Sequence, residues 1–236
     1  MKQRIVLTLH KQEAHLPMAL KNFGRDLLHT LIRPRKGLAR VADTRNIWQG
    51  IFLYVVISLL AVFSVAQSIT VEALIGFLEN WNIPFPVHLA QSFIDTLPVL
   101  SLIAQFIFGT LLFCIWLSIV NLFAELFSGE GDASRLGAVF GFAALPYLLL
   151  APTALWAHII PLQLLLLLGL VAFVWSQLLK IIGLKEAHNL TLLQALAAYL
   201  LPVATLLMAL LLFVLMSVAF LLPFVVEFLD SITRSF

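Results

Sequence analysis

The chain has 236 residues, of which 62% are hydrophobic and 11% charged, with a mean hydropathy of +1.05. A soluble domain carries about 25% charged residues, and a soluble core of this size cannot absorb so much apolar surface, so the chain is better counted in membrane spans of about 20 apolar residues each. Net charge is only +2, but ten of the fourteen Lys and Arg lie between Lys2 and Arg45, so placement carries the signal. Nucleic-acid binding by this basic segment is set aside, because topology and anionic lipid explain basic residues that abut a span. The single cysteine, Cys114, lies inside an apolar run and excludes an internal disulfide framework or a cysteine-rich metal site.

Residues 1–46 contain charges throughout and show no secretory signal pattern, so the first span is expected to serve as its own insertion signal. Leu20, Phe23, Leu27 and Leu31 recur at helical spacing against Lys21, Arg25 and His29. This predicts an amphipathic basic helix over 17–32, lying on the inner leaflet by default, with docking on the spans or binding of an acidic protein as alternatives. Ile47 to Ala66 is the first uncharged run long enough to cross, with Trp48 and Tyr54 toward its starting side. Between Ser68 and Asp95 come three acids, no Lys or Arg, and the turn-like Ile83-Pro84-Phe85-Pro86, which places this stretch on the opposite side. Val71, Leu74, Leu78 and Trp81 predict a short interfacial helix within it.

Thr96 to Ala124 is the second span, longer than one crossing needs, and Ser128-Gly129-Glu130-Gly131-Asp132 ends it as a polar turn. Leu136 to Leu179 is uncharged for 44 residues, which suits two helices with a break around Trp156 to Pro161; Lys180 closes the pair and opens a loop to Asn189. Thr191 and Gln194 form a capping box for the last span, Leu192 to Val226. Pro202 and Pro223 are expected to break or kink that helix and leave one end outside a regular span.

With the N-terminus inside, the inner segments hold thirteen Lys and Arg and the outer ones only Arg234. The expectation is an all-α polytopic bundle of about five transmembrane helices, N-terminus cytoplasmic and C-terminus outside. Its parts are a basic tail (1–46), a five-helix domain (47–226) and a short C-terminal tail (227–236).

Ionisable groups near a span are functional candidates by default. Glu125 follows Asn121 by four residues, on the same helical face, where the two could bind a cation, relay a proton or grip a helix; the plainer reading is that Glu125 snorkels to water and Asn121 joins helices. Gly137 and Gly141 allow close approach of a helix, more often an internal one. Pro146 and Pro152 would free backbone carbonyls at depth, as at transporter sites, or simply kink the helix. The inner loops bring Gly129 and Gly131, suited to a tight turn with outward-facing amides, and Lys185 and Glu186, a pair of opposite charges; these could form one shared surface or be plain connectors. The six histidines have no metal-ligand spacing, and no HExxH, phosphate-binding Gly-Lys loop or Gly-x-Ser-x-Gly elbow occurs. No catalytic, metal or cofactor site is therefore expected. Asn189-Leu-Thr191 matches a glycosylation pattern incidentally.

Three stretches resemble the Ypt-interacting-protein (Yip) domain family, particularly its bacterial branch: Leu31-Ile-Arg-Pro34-Arg-Lys-Gly37; Gly129-Glu-Gly131 through Gly141-Phe-Ala-Ala-Leu-Pro146; and Trp175 with Gly183-Leu-Lys185-Glu186-Ala-His188 through Ala195. The likeness covers roughly residues 30–225. It implies a five-helix membrane domain with a cytosolic N-terminus, in a bacterial cytoplasmic (inner) membrane. For eukaryotic relatives it implies contact with lipid-modified Rab-type GTPases; here the Asp-Leu-Trp-Gly-Pro-like segment of those relatives is replaced by Ile-Arg-Pro-Arg. The first functional expectation is a non-enzymatic scaffold or adaptor with the lipid bilayer and a cytoplasmic or membrane protein as partners. The alternative is a small transporter or channel subunit for an ion, lipid or apolar solute.

Overall fold

Five stretches are long and apolar enough to cross a membrane: Ile47–Gln67, Val87–Leu126, Ala133–Thr153, Gln163–His188 and Leu192–Phe224. They belong to a computed structural model that describes residues 23–156 and 162–234, all helices and connecting turns, with no strand among the described residues. The all-helical, five-span reading of the sequence holds. Its finer boundaries move in four places.

Two helices precede the first span: α1 (residues 23–32) and α2 (Pro34–Thr44), with Pro34 at the first helical position, where its missing N–H is harmless. The expected stripe of Phe23, Leu27 and Leu31 exists on α1, but it packs against the bundle core instead of facing lipid. The physical reason is Asp26, which shares that inward face and is tied down by arginines; Leu20 and Lys21 lie outside the described residues.

Helix α3 (Ile47–Gln67) starts at Asn46, whose side chain accepts from the Gln49 amide at 3.1 Å. Helix α4 (Val71–Asn80) is capped by Thr70 and buries none of its residues. The second span begins earlier than Thr96: α5 runs Val87–Ala104, passes through a π turn at Gln105–Gly109, and continues as α6 (Thr110–Leu126). Asp95 marks no boundary, because Gln91, one turn earlier, donates to its carboxylate at 2.9 Å and satisfies it within the helix.

The third stretch does not kink; it changes type. Helix α7 (Ala133–Phe142) gives way to a 3-10 segment, Leu145–Trp156, holding Pro146 and Pro152. Each proline removes a backbone donor, so the regular ladder cannot continue and the chain tightens. Side chains bond carbonyls of this segment: Ser64 donates to Ala151 O at 3.2 Å, Ser68 to Thr153 O at 3.4 Å and Thr153 to Leu150 O at 2.7 Å. This stretch is the hub of the bundle, 72% buried where no other span exceeds 33%.

Helix α8 (Leu162–His188) follows; the expected break at Trp156 to Pro161 falls largely outside the described residues. The stretch expected to be a loop from Lys180 onward is two further turns of α8. A lysine does not stop a helix; Asn189 does, with φ 55°, as the Leu190 amide closes on Lys185 O at 3.0 Å. Helix α9 (Leu192–Arg234) opens on the expected capping box: Thr191 N donates to Gln194 Oε1 at 2.9 Å and Gln194 N to Thr191 Oγ1 at 3.3 Å. It runs unbroken through Pro202 and Pro223 for 43 residues, about 65 Å, roughly twice the hydrocarbon thickness. The two prolines thus do not divide it, since each removes only its own donor from a long ladder.

The core lies toward the end of the bundle where the basic residues gather. Phe140, Phe142, Leu136 and Val139 of α7 are fully buried with Leu38 and Val41 of α2, Ile57 of α3, Val120 of α6, and Leu179 and Leu184 of α8.

Candidate functional site

At the basic end, the turn after α6 and the last turn of α8 meet. Helix α6 ends as Ser128 takes φ 65°, with the Gly129 amide closing on Ala124 O at 3.0 Å. The next amide, Glu130 N, donates across to His188 O at 3.2 Å. A Cβ on Gly129 would stand 2.9 Å from His188 Nδ1, and one on Gly131 would collide with the Ala187 carbonyl oxygen. Both glycines are therefore required by close approach, and neither has a positive φ. The left-handed position expected of a glycine is held by Ser128 instead. The amides expected to face outward are used internally where bonds are seen, Gly129 N within α6 and Glu130 N onto α8.

His188 fills the space those glycines leave. It is fully buried, and neither ring nitrogen has a hydrogen-bond partner among the described residues. Leaving a buried donor or acceptor unsatisfied costs about 1–3 kcal/mol, so this group marks either a ligand position or tolerated strain. In the sequence His188 is one of six scattered histidines; the signal that could have singled it out is the pair of glycines whose close approach to the end of α8 leaves no room for a Cβ.

Asn121 donates to Glu125 Oε1 at 2.6 Å, so the pair on one face of α6 is real, and Glu125 is exposed near the helix end. Asn121 Oδ1 is buried and lacks a hydrogen-bond partner among the described residues. Lys185 and Glu186 are mostly covered, with side chains 23% and 19% exposed. Their charges are used internally: Lys185 Nζ lies 3.0 Å from Glu186 Oε1, and Arg35 Nε reaches the same oxygen at 3.1 Å. Pro146 is buried at the start of the 3-10 segment, away from this junction. The structure thus brings the Gly129 and Gly131 turn onto Ala187 and His188, pairs Lys185 and Glu186 with each other and with Arg35 of α2, and leaves Pro146 apart.

Helices α1 and α2 pack on the same end of the bundle, α1 on the core and α2 against α7 and α8. Asp26, only 1% exposed, accepts from Arg45 Nη2 at 2.5 Å and stands 3.2 Å from Arg40 Nε. The Arg45 guanidinium also lies over the Phe23 ring at 5.3 Å, and Phe23 meets Phe142 edge-on at 5.6 Å. The basic segment is therefore locked to the membrane bundle. Among the described residues no group of three or more His, Cys, Asp or Glu is placed to hold a metal ion.

The family model described as the Yip1 domain matches residues 28–226. That range takes in α2, all five spans and every residue of the junction except Asp26 and Phe23 on α1. Comparison with curated proteins and with solved structures gives no match.

Proposed function

The chain belongs to the Yip1 domain family and is a multi-pass membrane protein; from that premise we propose that it is a non-enzymatic scaffold or adaptor, oriented with its basic end in the cytoplasm of a bacterial inner membrane. The carrying observation is that α1, α2, the turn after α6 and the end of α8 interlock through Asp26, Arg35 and His188 into one platform on the bundle. A platform held by the buried Asp26 ion pairs and by packing on the core presents its outer face at fixed geometry, which favours recognition of a partner over a moving gate. That outer face carries Leu28, 56% exposed on α1, beside exposed Arg33 and Lys36. The partner is a cytoplasmic or membrane protein with an apolar and acidic contact surface.

The test compares Leu28→Glu and Lys36→Glu with Gly169→Ala, where nothing lies within 4 Å, at matched membrane abundance and thermal stability. Proximity labelling from the platform should lose its partner in the first two variants and keep it in the third. Retention in both surface variants removes the platform reading. Solute flux in proteoliposomes of the pure protein would favour the transporter alternative instead.

A further inference from the structure

A half-enclosed cavity of ≈ 450 Å³ lies within the membrane-spanning part of the bundle, between α3, α5, the 3-10 segment and α8, apart from the junction above. Its size falls in the range of about 300–1,000 Å³ typical of small-molecule sites. One end is polar. Lys180 enters there from α8, beside Tyr54, Gln105 and Tyr147. Gln105 Nε2 reaches Tyr54 Oη at 3.4 Å, and the π turn at Gln105–Gly109 sets this geometry, because only a glycine at 109 leaves room for the folded-back Gln105 side chain. The other end is apolar, lined by Val62, Val65 and Leu150 and reaching Ile69 at the far end of α3.

Lys180 is eight residues from the end of α8, and Tyr54 seven from the start of α3, so both sit about 10–12 Å into the spans. Lys180 makes no ion pair or hydrogen bond among the described residues. An ammonium at this depth is costly unless an anion meets it. A water-soluble anion has no apolar stretch to fill the rest of the cavity, whereas a lipid-borne acid has one. Basic pockets between membrane helices characteristically take anionic lipid groups.

We propose that this cavity binds a single-chain amphiphile with an anionic head, a long-chain fatty acid, its carboxylate paired with Lys180 and its chain laid along the outer half of α3. Tyr54 and Gln105 lie at the head end and the aliphatic wall takes the chain.

The probe is palmitate labelled with ¹³C at its carboxyl carbon, added to delipidated full-length protein in detergent, with hexadecanol, acetate and lysophosphatidate as comparisons. Palmitate should bind at one site per chain with a displaced carboxyl resonance, while hexadecanol binds at least tenfold more weakly and acetate not at all. Lys180→Met should weaken palmitate at least tenfold without changing hexadecanol, and Lys180→Arg should restore most of the affinity. Equal binding of hexadecanol and palmitate by the unaltered protein overturns the proposal without any variant, as does undiminished palmitate binding by a folded Lys180→Met. Tighter binding of lysophosphatidate than of palmitate also overturns it, in favour of a phosphate head.

Discussion

The carbonyl oxygen of Gly50 on α3 occupies the place where a Cβ on Gly141 of α7 would have to stand. The same crossing brings the Gly137 carbonyl against the position of a Cβ on Gly50. The partner of the Gly137 and Gly141 pair is thus an internal helix, and the contact is backbone on backbone. Flexible side chains yield to an added methyl; main chain does not. Gly50→Ala and Gly141→Ala should each lower stability by about 3 kcal/mol or more. Gly169→Ala in α8, where nothing lies within 4 Å, should leave it unchanged or raise it by about 0.5–1 kcal/mol. Thermal unfolding in detergent measures all three, and equal midpoints would contradict the crossing.

Asp26 is buried between Arg40 and Arg45, so removing its charge strands a guanidinium that is itself largely covered. Asp26→Ala should cost about 3–5 kcal/mol. Replacing the pair together, Asp26→Leu with Arg45→Met, should recover much of that loss, because both charges then leave the interior. A double-mutant cycle reads the coupling; additive losses would mean that the ion pair is not formed.

Ser128 and Asn189 hold the two left-handed positions that end α6 and α8. Ser128→Gly should stabilise by about 1 kcal/mol, since a side chain there strains the backbone, and Asn189→Gly should gain less because asparagine tolerates that region. Gly129→Ala and Gly131→Ala should destabilise despite adding helix-compatible residues, because each new methyl enters the His188 contact. The opposite ordering of midpoints would show that the junction does not form.

Topology is testable with single cysteines in a Cys114→Ala background. Glu79→Cys and Asn82→Cys, both exposed beyond α3, should react with an impermeant reagent on intact cells, and Lys36→Cys should react only after the membrane is opened. Labelling of Lys36→Cys on intact cells would reverse the proposed orientation.

How much of this was legible beforehand depended on whether the governing interaction was local. Five spans, the caps at Thr191 and Gln194 and the turn after α6 could be read from the residues, because apolar length and side-chain-to-amide bonds act within a few positions. Charge was a poorer guide to boundaries: Asp95 and Lys180 both lie within helices, since a helix accommodates a charge that a neighbour or a cavity receives. Prolines behaved oppositely in two places, ending regular helix at Pro146 and leaving α9 intact at Pro202 and Pro223. The difference is tertiary, as α3 supplies Ser64 and Ser68 to serve the carbonyls of the 3-10 segment, whereas α9 leaves the core just after the buried Pro202, and none of residues 203–224 is buried.

What the sequence by itself determined is the class of protein, the number of spans and the side on which basic residues gather, because these follow from hydropathy and charge summed along the chain. Only the tertiary structure decided that α1 docks on the core through Phe23, that Gly129 and Gly131 let the turn after α6 close on the end of α8, and that Lys180 faces a cavity instead of ending a span. Each of these depends on groups far apart in the chain arriving at contact distance, and no local pattern encodes that meeting.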